Sequence, residues 1–379
     1  MRSVNDDSSF STEVNSGLMR HGAHVVSVCN ACRYCEQFCP VFPAIEQRLV
    51  FEKRDLVYLA SLCHDCGECL YACQFAPPHE FGIDVPRTLA RIRQRTYEEY
   101  AWPRWLESAL RRTGPASALM LAAGLTAVVF AAVLLMNPQV LWQPGIEGNF
   151  YRVVPHAVLV TLFGAVGLAV LASLVAGGIR CWREMQGPSS GPLAPGAIGP
   201  AFGDALTLRH LHTPGADCVT AEEQRTPWRR RFHHCTFYGF MLCFASTTVA
   251  AVYHALGFEA PYAYTSAPVV LGTVGGLGLL LGPGGLWHLR RRRDAALTGR
   301  DSQGGDEAFL VLLVLTSATG LLLLVFRHSA AMGALLLVHL GAVLALFLTL
   351  PYGKFVHGLY RTLALLKYRS EGDVDTRSG

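Results

Sequence analysis

The chain has 379 residues, of which 51% are hydrophobic and only 16% are charged, and its net charge is +4. Soluble domains carry about 25% charged residues, so this composition excludes a disordered chain and disfavours an ordinary soluble enzyme. The modest charge, without a basic stripe interleaved with aromatic residues, argues against a nucleic-acid partner. Residues 1–115 are polar and charged, whereas long apolar runs follow them. This division predicts a soluble head joined to a polytopic membrane domain.

The N-terminal segment carries no pattern typical of export. Residues 1–14 lack an apolar core, which a cleavable signal peptide requires, and we expect residues 1–20 to be flexible. The cysteines that follow should therefore face a reducing cytosol, where clustered thiols indicate metal binding rather than disulfides.

Eight of the twelve cysteines form two copies of one pattern between residues 29 and 73. Both copies have the spacing Cys-x2-Cys-x2-Cys-x3-Cys. The first run comprises Cys29, Cys32, Cys35 and Cys39, and the second comprises Cys63, Cys66, Cys69 and Cys73. In two-cluster ferredoxins with this spacing, three cysteines of a run bind one [4Fe-4S] cluster and the fourth binds the other.

This exchange of fourth ligands predicts two [4Fe-4S] clusters. The first takes Cys29, Cys32, Cys35 and Cys73, and the second takes Cys63, Cys66, Cys69 and Cys39. Zinc is the alternative, but a zinc site needs only four ligands, typically from two Cys-x2-Cys pairs. Two runs of four with identical spacing exceed that requirement, so the spacing favours iron-sulfur clusters.

The segments around the second run indicate helices. Residues 45–60 contain no glycine or proline and carry apolar positions at helical spacing, and residues 87–97 are similar. The predicted head, residues 21–115, is therefore a cytoplasmic two-cluster ferredoxin-like domain of the α-helical type. Similar modules occur in the iron-sulfur subunits of succinate dehydrogenase-like and heterodisulfide reductase-like enzymes.

Six later stretches are long and apolar enough to cross a bilayer, which takes about 20 residues. They are Ala116–Met136, Pro155–Ile179, Thr236–Leu256, Ala267–Leu289, Ala308–Phe326 and Ala331–Leu350. Pro351 should interrupt the last helix, because a proline breaks the hydrogen bonding of a helix interior. The predicted fold is all-α, with a six-span membrane domain over residues 116–366 and a flexible C terminus over residues 367–379.

The distribution of arginine and lysine predicts the orientation of these spans. Twenty-four lie in residues 84–115, in the long loops 180–234 and 290–306, and after the sixth span, whereas the alternate connections hold only Arg152 and Arg327. Basic residues stay on the cytoplasmic side. Both termini, the clusters and the two long loops are therefore expected in the cytoplasm of a bacterial cell, with the spans in its inner membrane.

Histidines occur inside or at the ends of the third and sixth spans, where ionisable groups are costly and usually functional. These candidate haem ligands are His233, His234, His254, His339 and His357. The two spans run antiparallel. We therefore expect His233 or His234 to meet His357 near the cytoplasm, and His254 to meet His339 near the outer face.

These two pairs suggest one or two b-type haems held by two imidazoles each. His156 and His328 compete with His254 for a place in the outer pair. The alternative interpretation is that histidines at span ends are interfacial residues bonded to headgroups or backbone.

Three segments carry a resemblance to a known family. They are residues 77–86 (PPHEFGIDVP), residues 204–209 (DALTLR) and residues 230–240 (RRFHHCTFYGF). Together with the two cysteine runs they resemble the tricarballylate (citrate) utilisation protein B family, over nearly the whole chain after residue 20. The sixth span, with His339 and His357 around Pro351, also looks like the haem-carrying helix of the respiratory nitrate reductase gamma subunit.

The resemblance implies a membrane iron-sulfur electron carrier. Such proteins reoxidise a partner FAD-dependent tricarballylate dehydrogenase and pass the electrons to the quinone pool, and a related fusion protein looks like a flavin, iron-sulfur and b-haem protein. The Gly/Pro/Ala-rich stretch 187–203 departs from the pattern and looks like a linker.

The sequence carries no motif for binding its own flavin or for attacking an organic substrate. It has no GxGxxG turn opening a βαβ unit and no nucleophile constellation, so we expect no catalytic residue, and the position of the quinone is not assigned. One alternative is the same carrier serving a different flavoenzyme. Another is a redox-sensing transporter, which the scarcity of carboxylates in the spans disfavours.

Overall fold

The computed structural model describes residues 5–110, 114–136, 148–187, 193–211, 218–219, 225–293 and 303–378. Helices make up almost all the regular structure in these ranges, and the described strands are an antiparallel pair of two-residue segments, Cys218–Val219 and Arg225–Thr226. A helical head is followed by six helices that are long and apolar enough to cross a membrane. The prediction of an all-α fold with these two parts is confirmed.

The head is built from helices of 4 to 28 residues around the two cysteine runs. They are α1 (Asn5–Cys32), α2 (Val41–Glu46), α3 (Lys53–Leu62), α4 (Glu68–Tyr71), α5 (Val85–Tyr100) and α6 (Arg104–Leu110). The core of the head lies between α1, α3 and α5, where Val25, Leu59 and Leu89 are completely buried. Apolar burial of this kind is the main favourable contribution to folding. Helix α1 starts at Asn5 and thus runs through much of the segment 1–20 that the sequence predicted to be flexible.

The helix predicted over residues 45–60 is divided into two by a turn. A capping box starts α3 afresh, because the backbone N–H of Glu52 donates to Asp55 Oδ2 at 3.0 Å. The side chain of Asn30 donates to the carbonyl of Arg48 at 2.8 Å. This hydrogen bond connects the turn between α2 and α3 to the last turn of α1, where the first cysteine run begins.

The membrane-type helices lie close to their predicted bounds. They are α7 (Pro115–Met136), α8 (His156–Met185), α10 (Trp228–Ala255), α11 (Ala267–Arg291), α12 (Gln303–Val325) and α13 (Met332–Thr349), with the short helix α9 (Ile198–Thr207) between α8 and α10. Helix α10 begins eight residues before the predicted third span, which places His233 and His234 within it. Glycines let α10 and α11 approach closely, since a Cβ atom added at Gly239 would lie 2.9 Å from the carbonyl oxygen of Gly275.

The last helix returns to the head. After α13 the chain makes a 3-10 turn at Leu350–Tyr352, as expected for Pro351, and then forms α14 (Val356–Ser378). Glu371 on α14 accepts hydrogen bonds from Arg48 at 2.7 Å and from Tyr58 at 3.0 Å. These bonds hold the start of the 367–379 segment, predicted to be flexible, in a helix against the head.

Candidate metal centres

The cysteines line two adjacent cavities in the head. A cavity of about 230 Å³ is lined by Cys29, Cys32, Cys35 and Cys73, and also by Cys69. A smaller cavity of about 20 Å³ is lined by Cys39, Cys63, Cys66 and Cys69. We call these the first and the second cysteine site. The fourth cysteine of each run thus lies with the first three of the other run, which is the arrangement that the cluster prediction requires.

Local backbone geometry separates the fourth cysteine of each run from the other three. Arg33 lies between Cys32 and Cys35 and has a φ angle of 55°. In the second run, Asp65 precedes Cys66 and Gly67 follows it, with φ angles of 54° and 91°. These left-handed residues turn the chain around its own cysteines. Pro40, directly after Cys39, is the N-cap of α2. Cys69 lies in α4, and Cys73 follows the C-cap of that helix.

The buried thiols have the chemistry that a cationic iron-sulfur cluster requires. Burial, reinforced by Cys73, Cys35 and Cys32, raises the pKa of Cys29 to about 12, so four thiolates would be stable here only with cations between them. Each cavity offers the four thiols of one predicted cluster, one for each iron.

The second cysteine site is surrounded by four arginines. Arg361 and Arg93 donate to the carbonyl of Cys63 at 2.6 and 2.7 Å, and Arg229 donates to the carbonyls of His64 and Asp65 at 3.2 and 2.8 Å. The fourth, Arg293, donates to the Asp65 carbonyl at 2.7 Å and to its carboxylate at 3.0 and 3.1 Å. We call Arg93, Arg229, Arg293 and Arg361 the arginine collar.

The collar controls the charge of Asp65. Burial alone would raise the pKa of this carboxyl, but Arg293, with Arg93 and Arg229, lowers it to about 2. Asp65 is therefore ionised at neutral pH and offsets one of the four positive charges.

A third cavity, of about 210 Å³, separates the second cysteine site from the membrane-type helices. Cys66 lies on its head side, and His233 of α10 and His357 of α14 lie on its membrane side. We call it the junction cavity. Its charged lining consists of Asp65, Arg93, Arg229, Arg290, Arg293, Asp306, Lys354 and Arg361.

His233 and His357 face each other across this junction. Their ring centres are 5.8 Å apart at an angle of 61°. Two imidazoles on opposite sides of one metal, with bonds of about 2 Å, would have ring centres roughly 6 Å apart. The Nδ1–H of His357 donates to the Lys354 carbonyl, which fixes the ring and leaves Nε2 as its ligating atom. The buried Nδ1 of His233 has no hydrogen-bond partner among the described residues. This pair therefore fits the predicted cytoplasmic haem.

The predicted outer pair does not form. His339 lies against α12, with its Nδ1 3.0 Å from Thr319 Oγ1 and its ring next to Gly320. His254 stacks instead on His156, with ring centres 3.8 Å apart. The reason is the helix arrangement: α10 packs mainly on α11, and α13 packs on α12 and α7.

The remaining histidine candidates have other neighbours. His234 projects beside Tyr238, with ring centres 5.7 Å apart, and Tyr238 donates to the carbonyl of Leu206 at the end of α9. His328 accepts a hydrogen bond from its neighbour Arg327 at 3.1 Å. The structure therefore brings together one of the two expected histidine pairs.

Sequence reasoning missed the arginine collar. The runs at residues 229–231 and 290–293 were interpreted only as orientation signals, and Arg93 and Arg361 carried no motif. One signal was available in the sequence. Both arginine runs lie at the ends of spans that were predicted to be on the same side of the membrane as the head, so their side chains could contact it.

Comparison with known proteins agrees with this architecture. No solved structure matches the chain. The family model described as citrate utilization protein B matches residues 110–377, and the model of its Fer4-like domain matches residues 22–99. The chain is 49% identical to citrate utilization protein B of Escherichia coli over 349 residues, which cover 92% of this chain and 91% of that protein. The chain therefore belongs to the citrate utilization protein B family.

Proposed function

We propose that the protein is a membrane-bound electron carrier that reoxidises an FAD-dependent dehydrogenase of the tricarballylate type and passes the electrons to the quinone pool. The observation that carries this proposal is the succession of three adjoining sites. The first and second cysteine sites share Cys69 in their linings, and Cys66 lines both the second site and the junction cavity. The three sites thus form a continuous series from the head to the membrane-type helices.

The residues divide the cofactors among these sites. The first cysteine site would hold one [4Fe-4S] cluster, the second site another, and His233 with His357 one b-type haem. When bound, these groups accept and release single electrons, which is the chemistry that links a two-electron flavin to a quinone.

The side chains of the junction cavity would position the haem. The carbonyl of Lys354 orients His357, and the cationic groups of Arg229 and Lys354 suit the carboxylates of the haem propionates. Asp306 is held at 2.8 Å by Arg290 and at 2.9 Å by Lys354. This ion-pair network therefore reduces the excess of positive charge in the cavity.

The proposed orientation places the head in the cytoplasm and the spans in the bacterial inner membrane. Its support is the contact of Arg229 and Arg293, at the ends of α10 and α11, with Asp65 in the head. The arginine-rich ends of the helices are thus on the side of the cysteine sites, which is the cytoplasmic side by the positive-inside rule. A soluble flavoenzyme would reach the head from there.

Reconstitution tests the proposal. The full chain in quinone-containing liposomes is mixed with FAD-dependent tricarballylate dehydrogenase and tricarballylate, and quinone reduction is followed by absorbance. We expect substrate-dependent reduction that requires both proteins. Quinone reduction by the dithionite-reduced chain, without coupling to this dehydrogenase, would favour a different flavoenzyme as partner. An iron-loaded chain that reduces no quinone would contradict the proposal and favour a redox-sensing role.

A further inference from the structure

We propose that the arginine collar makes the second cluster the more easily reduced of the two. The inference rests on the proposed function, in that it takes the two cysteine sites to hold [4Fe-4S] clusters. The proposed role of the collar, which consists of Arg93, Arg229, Arg293 and Arg361, is to raise the reduction potential of the second cluster.

The collar is concentrated on one short segment. The consecutive carbonyls of Cys63, His64 and Asp65 each accept a hydrogen bond from at least one guanidinium, at 2.6 to 3.2 Å. The donors come from the head helix α5, from the ends of α10 and α11, and from α14. Such convergence from four separate parts of the chain gives the second cysteine site a fixed set of positive charges.

The first cysteine site has no comparable set. The described linings of both cysteine sites lack lysine and arginine, so the difference lies in the four guanidiniums that hold residues 63–65 from the junction cavity. Arg33 belongs to the same run, but its side chain is exposed and donates to the carbonyl of Asn30 at 3.1 Å, so solvent screens its charge. The first run therefore has one solvent-screened guanidinium on its backbone, whereas residues 63–65 of the second run are held by four.

Reduction adds one negative charge to a cluster, so nearby charges shift its potential. Burial disfavours the added charge, and the second site is the more enclosed of the two, since Cys63 is buried. A buried cation favours the added charge, because the interior screens it far less than water does. Four guanidiniums outnumber the carboxylates of Asp65 and Glu68, which leaves a net positive environment.

Backbone hydrogen bonds to sulfur do not distinguish the two sites. The N–H groups of Asp65 and Val41 act on Cys63 and Cys39 of the second site, and those of Phe75 and Ala76 act on Cys73 of the first, so the expected difference in potential comes from the collar. The more easily reduced cluster would then lie next to Cys66 and the junction cavity, on the side of His233 and His357.

A redox titration monitored by electron paramagnetic resonance tests this order on the purified full chain with both clusters loaded. We expect two one-electron steps in the wild type. Arg293→Gln should lower the reduction potential of the higher-potential step by at least about 59 mV, which is a tenfold change in the ratio of reduced to oxidised cluster for one electron. The potential of the lower step should not change. Arg293→Lys should keep most of the wild-type potential, because it keeps the charge.

Two further variants complete the design. Arg361→Gln should shift the same step in the same direction, and it serves if Arg293→Gln does not fold. Arg180→Gln is the matched control: Arg180 also donates to backbone carbonyls, those of Tyr100 and Ala101 at 3.2 and 3.4 Å, but it does not line the junction cavity, which all four collar arginines line. It should leave both steps unchanged.

The inference is wrong if the collar variants shift the lower-potential step, shift neither step, or if Arg293→Lys shifts the potential as far as Arg293→Gln. Iron and acid-labile sulfide are assayed on each sample. A wild type that carries no clusters would overturn the proposed function itself, whereas loaded clusters with an unmoved higher step overturn only the role of the collar.

Discussion

The two cysteine sites have the same ligand spacing and opposite surroundings. The first lies beside exposed apolar side chains, since Tyr34 is 69% exposed and Leu49, in the turn tied to the first run, is 95% exposed. The second is covered by membrane-type helices whose arginines hold its backbone. A repeated motif therefore does not imply repeated properties. The ligands determine which cofactor fits, and residues distant in sequence determine its electrostatic environment.

The crossed ligand sets give the largest expected effect. Cys73→Ser and Cys35→Ser should remove the same cluster, and Cys39→Ser and Cys66→Ser should remove the other, because each pair lines one cavity. Non-haem iron should fall by half in each variant, and paramagnetic resonance identifies the remaining cluster. If Cys73→Ser instead leaves the same cluster as Cys66→Ser, the crossing is absent. Cys235→Ser, outside both runs, is the control.

The histidine pair next to the second site gives the next largest effect. If the proposed haem is bound there, His233→Ala and His357→Ala should each abolish the b-type absorption, because each removes one of the two imidazoles that would hold it. His234→Ala and His254→Ala should retain it, since their rings lie elsewhere. Haem is measured by the reduced pyridine spectrum of the purified protein. Retention of full haem by His357→Ala would refute the assignment.

Acidification should lower the stability of the fold around the second site, because it protonates the carboxylate of Asp65. Its pKa is about 2 in the fold, against 3.8 ordinarily, so its contribution to stability is present above pH 4 and is lost as the pH falls towards 2. The loss amounts to about 2 kcal/mol. Thermal unfolding in detergent from pH 5 to pH 2 measures it. Asp65→Asn should be less stable than wild type at pH 7 and should lose less stability on acidification; an unchanged acid profile would contradict the ion pairing.

The smallest expected effect is a difference in stability between two tyrosine substitutions. Tyr58→Phe removes a hydrogen bond to Glu371 from a fully buried ring and should cost about 1 kcal/mol. Tyr34→Phe, on the exposed face of the first site, should change stability by less than about 0.5 kcal/mol. Parallel melting curves measure both. Equal losses would mean that the face around Tyr34 is not open.

Local sequence signals predicted the parts of the fold that depend on nearby residues. Cysteine spacing, apolar run length and Pro351 each act over a few turns, and the head, the six spans and the break after α13 were predicted from them. The turn between α2 and α3 was missed because it depends on the capping box of Glu52 and Asp55 and on Asn30, against an otherwise continuous helical pattern.

The interactions between distant segments could not be read from the sequence. Their positions along two antiparallel spans put His254 and His339 at similar depths, but depth does not determine which helices are neighbours. Close glycine contacts place α10 on α11, and the histidine next to His254 is His156 at the start of α8 rather than His339. The arginine collar likewise depends on α5, α14 and the ends of α10 and α11 converging at residues 63–65, and no motif records that convergence.

The most direct test of the central claim is a dithionite-reduced minus oxidised visible spectrum of the purified protein, with iron, acid-labile sulfide and haem assayed on the same sample. The account predicts about eight non-haem irons, as expected for two four-iron clusters, together with a b-type α band that His357→Ala abolishes. Two zinc ions with no sulfide, or eight irons with no haem band, would contradict the series of three sites that links the head to the membrane.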